Sequence, residues 1–219
     1  MIVTLTHTDS GDVDYRLAQL GLKHAPIVEA VKRGYVAFIS GTPNDPPLFP
    51  GFAAWAMVVR ALREYLLPEG WQRSDENNYS LVINGAGTVA IAVATGDDGT
   101  GDADEHPTTN SSKGPSTVEA VVSNQLKLDL GYEPSELPQP ARPAAKDQRE
   151  TWLLLVHRAH GEVRCELSLP TSMGPDGRVD GWQERIILGA IPTDPDIFSV
   201  APPSPPDQPD IDVAVKRRA

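Results

Sequence analysis

The sequence lacks the features that define several large protein classes. Its 219 residues contain one cysteine, Cys165, which excludes a disulfide-stapled scaffold. No apolar run approaches the ~20 residues of a membrane-spanning helix. There is neither a glycine period nor a long heptad repeat, which excludes collagens and coiled coils. The first thirty residues have no cationic start followed by an unbroken apolar core, so no signal peptide is predicted and we expect a cytoplasmic protein.

Basic residues are also in short supply. The chain has 19 Lys and Arg against 30 Asp and Glu, a formal net charge of −11. Residues 96–112 and 194–215 together contain ten of the acids and no Lys or Arg, and Lys113 lies just beyond the first segment. Many of the 21 prolines cluster in connecting or terminal segments. The acidic balance argues against nucleic-acid binding through a broad basic patch, and the remaining chain is nearly neutral.

Hydrophobic spacing predicts three to four helices. We expect them at 13–22, at 27–33 with Gly34 as the stop, at 51–67 and at 116–128. Residues 35–39 are predicted to form a short buried strand. The strongest helix, 51–67, has large apolar side chains at every third or fourth position, and its predicted buried stripe consists of Phe52, Trp55, Val59, Leu62 and Leu66.

Alternating patterns predict strands in two parts of the chain. Residues 79–93 indicate a hairpin that turns at Gly85–Gly87. The glycines also match a dinucleotide-binding pattern, but the period of two that follows them favours a turn. Helix 51–67 is expected to pack on the alanine face of the second strand. The segments 152–156, 163–169 and 182–188 indicate a meander that extends the same sheet.

These elements predict an α+β fold, in which three to four helices pack on an antiparallel sheet made of a hairpin and a three-stranded meander. Residues 1–191 are expected to form one domain. It comprises a helical and hairpin part (1–131), a linker or long loop (132–150) and the meander (151–191). Residues 192–219 are predicted to be a flexible, acidic, proline-rich tail.

The acidic loop has a spacing that is typical of calcium loops. Asp98, Asp102 and Asp104 alternate with other residues, but Ala103 stands where the sharp turn needs glycine and Thr109 where a bidentate glutamate is needed. We therefore expect a solvated loop and no cofactor, with a weak divalent-metal site as the alternative. Lys113, just before the helix at 116–128, is a candidate anion contact.

The cysteine has histidines close to it in sequence. If His160 and Gly161 form the turn of a hairpin, Cys165 pairs with Val156 on the apolar face and is an inert buried thiol. His157 then points to the opposite face, away from the thiol. This register argues against a Cys–His nucleophile.

The same register places His157, Arg164 and Glu166 on the more polar face, where Arg185 of the next strand can join them. One interpretation is a ladder of exposed ion pairs. The other is a binding patch in which arginines hold carboxylate or phosphate groups, and Arg164, Glu166, Arg185 and Lys113 are then the candidate binding residues. The lysine that a nuclease core needs after the glutamate is replaced by Ser168.

No complete catalytic motif is present, so the leading hypothesis is a non-enzymatic cytoplasmic accessory or regulatory subunit that binds a protein. Its contact is predicted within residues 192–219, where a proline run precedes the strand-like Asp210–Lys216. The alternative is a divalent-metal-dependent hydrolase of the nuclease or phosphodiesterase type. It would use Glu166, Asp98, Asp102 and Asp104 as ligands, with His157 as base and Arg164 on phosphate. The oligomeric state is left open.

Overall fold

The structure, a computed structural model, describes residues 4–129 and 149–193. Most of the predicted linker and all but the first two residues of the predicted tail lie outside these ranges. The helices are α1 (Ser10–Gln19), α2 (His24–Ile39), α3 (Phe49–Leu66) and α4 (Pro115–Asp129). The strands are β1 (Leu5–His7), β2 (Gln72–Ser74), β3 (Leu81–Ile83), β4 (Val89–Thr95), β5 (Glu150–Ala159), β6 (Glu162–Met173) and β7 (Val179–Pro192).

The strands form one seven-stranded sheet in the order β1-β7-β6-β5-β4-β3-β2. The predicted α+β class is confirmed, and the hairpin and the meander share the sheet as expected. The prediction of an antiparallel sheet is wrong in part, because β1 runs parallel to β7 and β4 runs parallel to β5. The chain leaves the end of β4 and re-enters the sheet at Glu150, opposite Val89. This return crossing, which includes α4, makes the central pair parallel.

The sheet is covered on both faces. Alternate residues of β4 and β5, such as Ile91 and Leu154, belong to the larger core with α1, α2 and α3. The intervening residues, such as Ala92 and Leu155, belong to a smaller core with Val121 of α4. The expectation that the helix at 51–67 packs on the alanine face is therefore wrong. That helix packs on the face with the bulkier side chains, and α4 lies on the alanine face.

Helix α2 runs without a break from His24 to Ile39, so the predicted stop at Gly34 and the predicted strand at 35–39 are both wrong. A Cβ atom on Gly34 would overlap Cγ2 of Val58 and lie 3.0 Å from the carbonyl oxygen of Ala54. The missing side chain lets α2 approach α3 closely. A glycine that looks like a local stop signal has a tertiary role here.

The other helices lie close to their predicted positions, but their buried faces differ from the predicted ones. In α3, Phe52 belongs to the predicted buried stripe yet is exposed. In α4, Val121 is buried while Val118 and Val122 are exposed, and Asn124 takes their place in the interior. Among the described residues, no helix combines the length and hydropathy that crossing a membrane requires.

Candidate functional site

The β5–β6 hairpin has the register that the His160–Gly161 turn predicts. Val156 pairs with Cys165 and His157 pairs with Arg164. Cys165 is fully buried, and this burial, with a smaller effect of the neighbouring Glu166 charge, raises the pKa of its thiol to about 12. The thiol therefore stays protonated at physiological pH, which makes it a poor nucleophile.

Glu166 and Arg185 form an ion pair that is almost completely buried on the α4 side of the sheet. The guanidinium donates from Nε to Oε1 at 3.0 Å and from Nη2 to Oε2 at 2.7 Å. The carboxylate also accepts the hydroxyl of Ser168 at 2.7 Å and the amide of Gly101 at 2.7 Å. Each carboxylate oxygen thus accepts two hydrogen bonds, which is the condition under which a buried charge is tolerated.

The acidic loop is attached to this ion pair through its backbone. Arg185 donates from Nη1 to the carbonyl of Glu105 and from Nη2 to the carbonyl of Asp102, each at 2.8 Å. Arg164 donates from Nη2 to the carbonyl of Asp98 at 2.6 Å. The two arginines bind the loop mainly through carbonyl oxygens, although Nη1 of Arg164 lies 3.9 Å from a carboxylate oxygen of Asp102.

Further hydrogen bonds hold the loop at other points. The carboxylate of Asp97 accepts the amide and the hydroxyl of Thr108, at 2.9 and 2.7 Å. The indole of Trp182 donates to the carbonyl of Pro107 at 2.8 Å. Thr100 and Thr109 are fully buried. The expected solvated loop is thus packed against the sheet, and it covers the Glu166–Arg185 pair.

The remaining predicted site residues make local contacts. Lys113 is half-buried, which lowers its pKa, and its ammonium lies 3.4 Å from the hydroxyl of Ser111. Nδ1 of His157 lies 3.4 Å from the carbonyl of Gly96. The side chain of Asp98 is exposed. Within the described ranges, no three His, Cys, Asp or Glu side chains converge in a way that could hold a metal ion.

A second ionic cluster, which the sequence patterns did not indicate, joins α1 to β1 and β7. The two ring nitrogens of the buried His7 contact carboxylate oxygens of Asp12 and Glu184. Arg16 donates from Nε and Nη2 to the same Glu184, and this hydrogen bonding raises the pKa of Arg16. The charged and polar groups of these four side chains are each other's hydrogen-bond partners, so the cluster holds α1 against the edge of the sheet.

The face of the sheet away from the acidic loop carries an exposed apolar cluster at the turn between α2 and α3. We call it the aromatic surface. Its members are Leu48 (85% exposed), Phe52 (62%), Ile39 (49%), Phe49 (44%) and the half-buried Trp55. The rings of Phe52 and Trp55 lie 5.7 Å apart, and the Trp55 indole donates to the carbonyl of Val93 at 3.2 Å. In the sequence, this surface is indicated by the apolar stripe of helix 51–67 alone, and that stripe predicts burial.

Arg158, at the end of β5, borders the aromatic surface. Its guanidinium lies 4.2 Å from the ring centroid of Phe38, and within the described residues it forms neither a hydrogen bond nor an ion pair. Burial lowers the pKa of Arg158. A cavity of about 20 Å³ between the sheet and the helices is lined by Arg158, Trp55, Gly51 and Val163, among others. A partly desolvated cation therefore lies beside uncovered apolar side chains.

Taken together, the geometry defines an α+β protein with a sealed polar cluster on one side of its sheet and an exposed aromatic surface on the other. Comparisons of the chain with protein-family models, with curated proteins and with solved structures found no match.

Proposed function

We propose that this chain is a non-enzymatic accessory or regulatory subunit that binds a protein partner through the aromatic surface. The observation that carries the proposal is the exposure of Leu48, Phe49 and Phe52 beside Trp55. Contiguous exposed apolar side chains are costly in water and mark sites of association. Aromatic side chains also contribute strongly to binding free energy at interfaces.

The polar cluster under the acidic loop supports the same conclusion. A catalytic or metal-binding carboxylate needs a free oxygen that faces a substrate or an ion. Both oxygens of Glu166 already accept hydrogen bonds from Arg185, and the loop covers the pair. This arrangement favours a structural role for Glu166 and Arg185.

The alternative hydrolase, with Glu166 and the loop carboxylates as metal ligands, stays a prediction that no described contact favours. Its test is calorimetry of the full chain with Mg²⁺, Mn²⁺ and Ca²⁺, and with the Glu166→Ala variant. Binding heat that the wild type shows and the variant lacks would support it. The cytoplasmic location and the contribution of residues 192–219 to partner binding also stay predictions.

The proposed function is tested by replacing Phe52 with serine. Because this side chain is 62% exposed, we expect the variant to keep the thermal stability of the wild type. An aromatic anchor at the centre of an interface contributes about 2 kcal/mol or more, so recovery of the partner from native lysate should fall by roughly thirtyfold.

Tyr15→Ser is the matched control, because Tyr15 is an exposed aromatic residue on α1, outside the aromatic surface. It should recover the partner as well as the wild type does. Equal recovery of the same protein by the wild type and Phe52→Ser would refute the proposed binding surface.

A further inference from the structure

The described chain ends near the β5–β6 turn, close to Arg158, which borders the aromatic surface. Strand β7 ends with Pro192 opposite Glu162, and the amide of Thr193 donates to the carbonyl of Gly161 in the β5–β6 turn at 2.9 Å. Arg158 lies three residues before Gly161 on β5, a distance of about 10 Å along a strand. The chain that follows Thr193 therefore starts within a few residues' reach of Arg158.

The end of β7 also lies beside a strand residue that lines the small cavity. Ile191 is buried opposite Val163, which lines the cavity together with Arg158 and Trp55. Arg158 has no carboxylate partner among the described residues, although its surroundings are partly apolar. A carboxylate at this position would gain from the low local dielectric, because charge pairs away from bulk water interact more strongly.

The residues that follow β7 have acidic and apolar side chains, which complement Arg158 and the aromatic surface. The proximal tail, which we define as residues 194–200, has the sequence Asp-Pro-Asp-Ile-Phe-Ser-Val. It contains two carboxylates, Asp194 and Asp196, followed by the large apolar side chains of Ile197 and Phe198. An extended chain covers about 3.3 Å per residue, so Asp194 lies at most about 3 Å beyond Thr193, and the residues from Asp196 to Phe198 reach positions roughly 10 to 16 Å beyond it.

We infer that the proximal tail binds the aromatic surface of its own chain, with a carboxylate of Asp194 or Asp196 on Arg158 and the Phe198 ring on the Phe52–Trp55 pair. A tethered segment acts at an effective concentration in the millimolar range, so even a weak contact keeps the surface covered. A protein partner that uses this surface would have to displace the segment. The inference itself needs no partner and is tested on the isolated chain.

Trp55 is a natural reporter of this contact. The chain has four tryptophans, and Trp71, Trp152 and Trp182 are buried whereas Trp55 is half-buried. Quenching of the intrinsic fluorescence by acrylamide therefore reports mainly on Trp55. A Trp55→Phe variant, which should remove the readily quenched component, identifies its share of the signal.

The experiment compares the full chain with a chain that ends at Thr193 and one that ends at Ala201. Because the tethered contact should be largely formed in the full chain, we expect the quenching constant to rise by about twofold when the chain ends at Thr193. It should stay at the full-chain value when the chain ends at Ala201. Phe198→Ser in the full chain should cause the same rise without any truncation, and thermal melting checks that each protein is folded.

Equal quenching of the full chain and the chain ending at Thr193 would overturn the inference. So would a chain ending at Ala201 that behaves like the shorter one, because a segment beyond residue 201 would then cover Trp55. Protection that disappears on dilution of the full chain would also overturn it, since the occupant would then be a second copy. None of these outcomes bears on partner recovery by Phe52→Ser, so a failure here and a failure of the proposed function are distinguishable.

Discussion

The buried pair of Glu166 and Arg185 makes the strongest prediction about stability. Replacing Glu166 with leucine removes both hydrogen bonds to the Arg185 guanidinium and leaves that cation buried, with the carbonyls of Asp102 and Glu105 as its remaining partners among the described residues. The same change leaves the amide of Gly101 without its acceptor. Carbonyl oxygens do not neutralise a charge.

Breaking one partner of a buried ion pair typically costs about 3 to 5 kcal/mol, because the other charge stays buried and unpaired. We expect this loss of unfolding free energy for Glu166→Leu and a similar one for Arg185→Leu. The double variant should lose only about 1 to 3 kcal/mol, because no buried charge remains and the cost is that of the loop's unsatisfied backbone groups. The two single effects should therefore be strongly non-additive.

Urea unfolding of the wild type, the two single variants and the double variant measures this double-mutant cycle. Glu64→Gln is the matched control, because Glu64 pairs with Arg33 and Arg60 in a solvent-exposed site, and its effect should be much smaller. Limited proteolysis should in addition cut the loop at 96–112 faster in Arg185→Leu than in the control. Single variants that each lose less than about 1 kcal/mol would refute the argument that this pair is desolvated and holds the loop.

Three further predictions concern single positions. Gly34→Ala should lower the unfolding free energy by about 1 to 3 kcal/mol, because the added methyl group meets α3. Gly51→Ala should not lower it, because a Cβ atom there would meet no atom within 4 Å. Thermal unfolding of the two variants distinguishes these outcomes. Asn124→Ala should cost about 1 to 3 kcal/mol in urea unfolding, because the buried amide makes three hydrogen bonds to strand backbone. Burial raises the pKa values of Cys165 and Tyr79 to about 12. The stability that these two buried neutral groups contribute is therefore fully present below about pH 9 and is lost as the pH rises toward 12. A pH series of melting temperatures with no decline above pH 9 would contradict this.

Local patterns predict three of the four helices and the hairpins close to their observed positions, because these depend on neighbouring residues. The His160–Gly161 turn determines the register that buries Cys165 and places Arg164 beside His157. The α3 boundaries also followed from its apolar repeat and the proline that succeeds it. These features required no knowledge of the rest of the fold.

Predictions that needed tertiary information were less successful. Local preferences predict a helix stop at Gly34 because glycine disfavours helix, yet its role depends on Val58 of another helix. The stripe in α3 showed which residues share a face, but it carried no information on whether the face is covered, and Phe52 is exposed. The burial of Glu166 depends on backbone carbonyls and amides of a distant loop, which residue identities do not reveal.

The two faces of the sheet differ in what they can still offer to a partner. Beneath the acidic loop, the charged groups of Glu166 and Arg185 already have internal partners, so a new ligand could gain little without first breaking those contacts. On the opposite side, Phe52 is exposed and Arg158 has no carboxylate partner among the described residues. Burying apolar area contributes about 25 cal/mol per Å², and pairing the cation adds charge complementarity. The free energy available for association therefore lies on the side of α2 and α3, although the acidic loop has the more functional-looking sequence.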